Sequence, residues 1–190
     1  MGGRVEMKQA LNMTVIPALR RDGFTGSFPH FRRRRDNRIE LLSFQTNKWG
    51  GSFRVEASVV FPDAEGKLTN FLTAGENGMR YQLSGKEFDT VSVRNTSFRY
   101  SFPGVFDGWF YYIDVYRCYD PVFKRFCYRP VGDRTGAEKP HGLFVRHVWK
   151  NDETIYQRVC TEVEKQLPGA CAWWAERSKG LTGPERALLK

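Results

Sequence analysis

The sequence predicts an α+β protein, with a mostly antiparallel sheet of about five to seven strands and an N-terminal and a C-terminal helix packed on one face. Three observations predict this. Met7, Leu11, Val15 and Leu19 recur at i, i+4, i+8 and i+12, one apolar stripe of a 3.6-residue period. Ile155, Val159, Val163 and Leu167 repeat the pattern near the other end. Between them lie alternating apolar and polar runs separated by Gly, Pro, Asn and Asp, the texture of sequential strands joined by tight turns.

The first helix spans Val5–Arg21. Arg20 and Arg21 suit the partial negative charge of its last turn, and Gly23 suits the left-handed position beyond it. Pro17 removes a donor inside this pattern and predicts a kink or break there. Phe24 is expected to return to the core. Phe28–Arg34 and Arg38–Thr46 read as a hairpin about Asp36-Asn37. Gly50 and Gly51 supply the next reversal, since both tolerate positive φ. Ser52–Phe61 then alternates Phe53, Val55, Ala57 and Val59 against Arg54, Glu56 and Ser58, a strand with one wet face.

Residues 62–77 read as a loop, and 79–83 and 90–102 as strands. Trp109–Tyr119 and Phe123–Tyr128 form a second hairpin about Asp120-Pro121. Gly132–Gly142 is a loop, and Leu143–Trp149 the last strand. Asn151 or Asp152 caps the closing helix. Pro168-Gly169 is expected to end it, with a short helix resuming over Ala170–Arg177. At 190 residues the chain is long enough for one domain, placed at 1–179, followed by a flexible tail at 180–190.

Aromatic residues make up 15% of the chain, enough apolar area to offset the entropy lost on folding. The opening Met1–Lys8 has no apolar stretch of about seven residues or more, which predicts no secretory signal. No run of about 18 apolar residues occurs, so no membrane-spanning helix is expected. Cys118, Cys127, Cys160 and Cys171 form no Cys-x-x-Cys pair and are expected as free thiols at a cytoplasmic address.

The residues Leu11 through Ile16-Pro17-Ala18-Leu19-Arg20-Arg21-Asp22-Gly23-Phe24 resemble the opening helix of a family of small bacterial proteins, domain of unknown function 4304. Phe31-Arg32-Arg33 with Ile39-Glu40-Leu41-Leu42-Ser43-Phe44-Gln45 resembles its first hairpin. Ser52-Phe53-Arg54-Val55-Glu56 resembles its next strand, and Pro168 through Trp173-Trp174 its closing helix. These pieces span about half of the chain; Trp109–Trp149 does not match. The resemblance implies an α+β fold, and it implies no activity and no catalytic residue.

The residues themselves point to no catalytic or metal site and to no cofactor. His30, His141 and His147 lack the i, i+4 spacing of helical metal ligands. No Gly-x-Ser-x-Gly elbow occurs, and Gly78–Lys86 fails as a phosphate loop because Glu87 stands where Ser or Thr would bind magnesium. The candidate binding residues are Arg32, Arg33, Arg34, Arg35 and Arg38. On a hairpin they are able to neutralise phosphates or an acidic partner, or simply to blunt a solvated edge strand. Alternate arginines in a strand point to opposite faces, which halves any single patch. The aromatics from Trp109 to Tyr128, with Arg117, Lys124, Arg125 and Arg129 among them, fit either a sheet core or a base-stacking platform, and packing is the simpler reading.

Thirty basic against twenty-one acidic residues give a net charge of +9, which favours acidic partners. The expectation is therefore a non-enzymatic binding protein that engages another protein, acidic or membrane-active, in an immunity or antitoxin-like manner. A nucleic-acid-binding domain built on the Arg32–Arg38 hairpin is the alternative, and an enzyme with a motif-free site the next.

Overall fold

The computed structural model describes residues 3–35, 38–60, 98–101, 104–106, 108–132 and 138–179. The sequence-predicted Asp36-Asn37 turn, the 62–77 loop, the strand at 79–83 and the 180–190 tail lie outside these residues, as does most of the strand at 90–102. In chain order the elements are α1 (Arg4–Met13), α2 (Val15–Arg21), β1 (Thr25–Ser27), β2 (His30–Arg35), β3 (Arg38–Thr46), β4 (Ser52–Val60), β5 (Phe98–Ser101), β6 (Phe110–Tyr111), β7 (Asp114–Asp120), β8 (Arg125–Val131), β9 (Arg146–Trp149) and α3 (Ile155–Lys179). The fold is α+β, with helices at both ends. The strands make two sheets. One is six-stranded in the order β1-β2-β3-β4-β5, with β6 also paired to β4; the other is three-stranded in the order β8-β7-β9. Two compact units are present. The first comprises Met1–Gly23, Phe44–Val55 and Ser101–Pro168, the second Phe24–Ser43, Glu56–Tyr100 and Gly169–Lys190.

In the first unit the N-terminal stripe behaves as its spacing requires, with Met7, Leu11, Val15 and Leu19 all buried. The break in the helix, however, falls at Thr14 and not at Pro17. Thr14 leaves helical geometry, and its Oγ1 donates to the Ala10 carbonyl at 2.7 Å. Pro17 thereby becomes the third residue of α2, within the first turn whose N–H groups have no helical acceptor, so its missing donor costs nothing there. The unit's core continues through Phe53, whose ring lies 6.0 Å from Phe44 and 5.4 Å from Phe110. Strand pairing of Phe53 with Phe110 and of Ser52 with Tyr111 sets that stack.

The turn into β4 uses the glycines as expected, with φ of 84° at Gly50 and 77° at Gly51. A Cβ on Gly51 would also meet Ile113 Cδ1 at 2.6 Å. Gly51→Ala is therefore expected to destabilise the protein by about 1–2 kcal/mol in urea unfolding. Gly108→Ala is the comparison, since a Cβ there meets open space although its φ is 76°. Equal costs at the two positions would show that Ile113 yields without penalty.

The closing helix begins at Ile155, later than the cap residue suggested. Asp152 supports its entry: the Asp152 carbonyl accepts from Ile155 N at 3.0 Å, and its Oδ1 accepts from Thr154 N at 3.0 Å. Hydrogen bonds from Thr154 hold the Asp152 carboxyl below the usual aspartate range. Contrary to expectation, the helix does not end at Pro168-Gly169 but runs through to Lys179. Leu167, Ala170 and Trp174, at i, i+3 and i+7, are all buried. An interior proline costs about 3 kcal/mol, and the apolar area of a tryptophan with its neighbours outweighs that.

In the second unit β2 and β3 pair antiparallel, with Phe31 opposite Leu42, Arg33 opposite Glu40 and Arg35 opposite Arg38. Every residue from Ile39 to Phe44 is buried, so β3 is covered on both faces. The wet face expected for β4 is also not wet: Glu56 is buried, and Arg54 and Ser58 are half-buried. Polar side chains in a strand report which face they share, not that the face meets water.

Candidate binding surfaces

The five arginines singled out from the sequence do not form one patch. Strand alternation sends Arg32 and Arg34 to one side of β2, where both are exposed, and Arg33 and Arg35 to the other. Register then brings Arg33, Arg35 and Arg38 onto Glu40. Arg33 Nε donates to Glu40 Oε2 at 2.5 Å, and Arg38 Nε donates to Oε1 at 2.7 Å. Arg35 Nε lies 3.8 Å from Oε2. Glu40 is fully buried and Arg33 is 7% exposed. The Arg33 guanidinium lies over the Phe24 ring at 4.5 Å and the Trp174 ring at 5.5 Å, and its Nη2 approaches Cys171 Sγ at 3.8 Å. Arg33 and Glu40 are thus a buried ion pair with aromatic walls. Arg32 and Arg34 remain as surface charge. Alternation was legible in the sequence; that one glutamate gathers three arginines follows from the register, which the sequence did not state.

A second surface lies on the sheet β8-β7-β9, in the first unit. Directly opposed residues of an antiparallel pair share a face. Arg117 opposes Tyr128, and Tyr119 opposes Phe126; Arg117 also opposes Arg146 across β9. Arg117, Tyr119, Phe126, Tyr128 and Arg146 therefore line one face. Tyr119, Phe126 and Tyr128 are 40%, 46% and 40% exposed, and both arginines are exposed. Arg117 stands over the Phe126 ring at 4.2 Å, and Tyr119 meets Phe126 edge to face at 5.5 Å. Phe106 joins Tyr128, at 4.5 Å, to Trp149, at 6.1 Å. Arg158 lies 4.8 Å over the Trp149 ring.

The opposite face carries the sheet's acids. Asp120 Oδ1 accepts from Val122 N at 3.0 Å and Phe123 N at 3.2 Å, which builds the hairpin turn. Those backbone donors, Phe123 first, hold the Asp120 carboxyl below its usual range. Asp114 Oδ1 receives His147 Nε2 at 2.8 Å and Asn151 N at 3.0 Å. His147 in turn stacks on Tyr116 at 4.4 Å. With both acids committed there, the aromatic face presents arginines without a carboxylate at the described strand positions. At the hairpin tip, Val122 is 80% and Phe123 68% exposed.

The aromatic cluster thus divides. Phe110, Tyr112 and Tyr116 are core, as the simpler reading held, whereas Tyr119, Phe123, Phe126 and Tyr128 face outward. Alternation in the sequence groups Arg117 with Tyr119 and Phe126 with Tyr128, but it does not say which face of the sheet meets solvent. Of the histidines, His30 Nδ1 sits 3.0 Å from Ser43 Oγ, and His141 is exposed. Among the described residues, no group of three or more His, Cys, Asp or Glu side chains is placed to hold a metal ion. Nor is any helix among them long and apolar enough to cross a membrane.

Fold and surfaces together define an α+β protein with an outward face of aromatic rings and arginines on its three-stranded sheet. Residues 15–87 match the model of the family described as Domain of unknown function (DUF4304), a stretch of less than half of the chain. The match takes in α2, the β2–β3 hairpin and β4; Leu11 and the Pro168–Trp174 segment lie outside it. No curated protein and no solved structure is significantly similar to the chain.

Proposed function

We propose that this is a non-enzymatic binding protein that engages an acidic surface of another protein through the aromatic face of the β8-β7-β9 sheet. One observation carries the reading: three half-exposed rings and two arginines share a face from which carboxylates are turned away. Aromatic residues and arginine are the types that dominate binding hot spots. The exposed Val122 and Phe123 beside that face add apolar area of a kind that a protein partner buries and a phosphate backbone does not. The net charge of +9 supplies the complementary sign. This reading replaces the Arg32–Arg38 hairpin as the binding element, because Arg33 and Arg38 are committed to Glu40. An immunity or antitoxin-like role in the bacterial cytoplasm is its physiological form; four free thiols fit a reducing compartment.

A second reading, single-stranded nucleic acid stacked on the same rings, is favoured by the position of Arg117 over Phe126. One set of measurements separates the two. The partner co-purifying with wild-type protein is expressed alone, and its affinity is compared for wild type, Phe126→Ala and Arg117→Glu. Losses of about 30-fold or more are expected for each, and Arg32→Glu should be silent. Binding that survives both substitutions refutes the proposed face. Tight binding of mixed single-stranded oligonucleotides that weakens steeply with salt would transfer the face to the second reading.

A further inference from the structure

The face opposite the exposed aromatics holds two thiols in register. Cys118 of β7 and Cys127 of β8 are direct cross-strand partners, and their Sγ atoms are 3.6 Å apart with no bond between them. Opposed residues in an antiparallel pair have Cα atoms about 4.5–5.5 Å apart, inside the range of about 4.4–6.8 Å that a disulfide spans. Closing the sulfurs to about 2.05 Å thus requires side-chain movement and leaves the strand pairing in place.

The two thiols are also unlike. Cys118 is buried, while Cys127 is half-buried with Arg125 and Arg129 exposed two residues to either side. Arg129 shares a face with Cys127, and its Nη2 donates to Asp120 Oδ2 at 3.2 Å. Burial pushes the Cys118 thiol upward. Cys127 is thus the sulfur that a dissolved oxidant reaches first, whereas Cys118 lies behind it. Cys160, by contrast, is buried in α3.

We propose that Cys118 and Cys127 are a reversible dithiol, oxidised to a cross-strand disulfide by a peroxide. The Cys127 thiolate attacks one peroxide oxygen; the S–O bond forms, the O–O bond breaks, and the departing hydroxide takes a proton and leaves as water. Cys118 sulfur then attacks the Cys127 sulfenic acid; the S–S bond forms and the S–O bond breaks. The oxygen leaves as a second water with the Cys118 proton. Two thiols lose two electrons and hydrogen peroxide gains them. The cross-link staples the hairpin whose other face carries Arg117, Tyr119, Phe126 and Tyr128. It stands or falls separately from the binding reading.

The reduced full-length protein is treated with equimolar hydrogen peroxide, alkylated under denaturing conditions and weighed intact. Two of the four cysteines should escape alkylation, with a mass loss of about 2 Da before alkylation that dithiothreitol reverses. Trypsin cuts at Lys124 and Arg125, between the two cysteines, so a disulfide-linked peptide pair identifies the partners. In Cys118→Ser, Cys127 should accumulate as a dimedone-reactive sulfenic acid. Four alkylated cysteines after peroxide, a link to Cys160 or Cys171, or sulfinic acid at Cys127 with Cys118 still alkylated would each overturn the proposal.

Discussion

Replacing Glu40 with Gln is expected to lower the free energy of unfolding by about 3–5 kcal/mol, although the side chain keeps its shape and volume. The carboxylate is fully buried and receives Arg33 at 2.5 Å and Arg38 at 2.7 Å. Two further facts make the site unforgiving. Arg33 is itself buried, and its guanidinium is walled by Phe24 and Trp174, so it cannot turn to water when its counter-charge goes. An amide also offers only one acceptor oxygen and turns an NH2 toward guanidinium donors. The cost is thus that of a stranded buried cation, more than that of one lost hydrogen bond. The double variant Arg33→Met/Glu40→Leu removes both charges and should cost less than either Glu40→Gln or Arg33→Met alone. Urea unfolding followed by tryptophan fluorescence measures all three. A Glu40→Gln protein within about 1 kcal/mol of wild type would mean that water reaches the pair and that it is not buried in solution.

The same pair shows how far the sequence can be read. Periodicity placed both helices, since buried stripes at Met7–Leu19 and Ile155–Leu167 are one-dimensional signals, and turn chemistry placed the reversal at Asp120-Pro121. The arm expected over Trp109–Tyr119, however, divides into β6, paired with β4, and β7, paired with β8. Each correction arose where a local rule met packing. Pro17 was expected to break its helix, yet Thr14 breaks it first and leaves the proline in a turn that needs no donor. Pro168 was expected to stop the closing helix, yet burial of Leu167, Ala170 and Trp174 carries the helix past it. Arg54, Glu56 and Ser58 alternate as a solvent face would, and lie half-buried or deeper. The four-arginine run was the loudest local signal, but its meaning depended on which residue β3 set opposite Arg33. Register is a pairwise property of two strands, and neither strand alone contains it. For the same reason the exposed rings of β7 and β8 could not be told from core rings: Tyr116 and Tyr119 differ in face, not in type.

Trp174→Ala is expected to cost about 3–5 kcal/mol, and the comparison with Trp174→Phe divides that cost into its parts. Trp174 is fully buried; its ring packs 5.5 Å from Phe24, and its Nε1 donates to the Ser58 carbonyl at 2.9 Å. Phenylalanine preserves an aromatic wall for Phe24 and Arg33 but removes the donor and leaves part of the indole volume empty. Its cost should be about 2 kcal/mol, the sum of an unsatisfied carbonyl and a small cavity. Alanine removes the wall as well, so the Arg33 guanidinium faces a cavity large enough to admit water. That difference gives the comparison a second readout. If the aromatic wall is what keeps the ion pair dry, the penalty of Glu40→Gln should shrink in the Trp174→Ala background by about 1 kcal/mol or more, because a wet guanidinium no longer depends on its carboxylate. It should persist in the Trp174→Phe background. Strict additivity of Glu40→Gln with Trp174→Ala would show that β2 and β3 alone keep water from the pair, and that Trp174 contributes only its area and its one hydrogen bond.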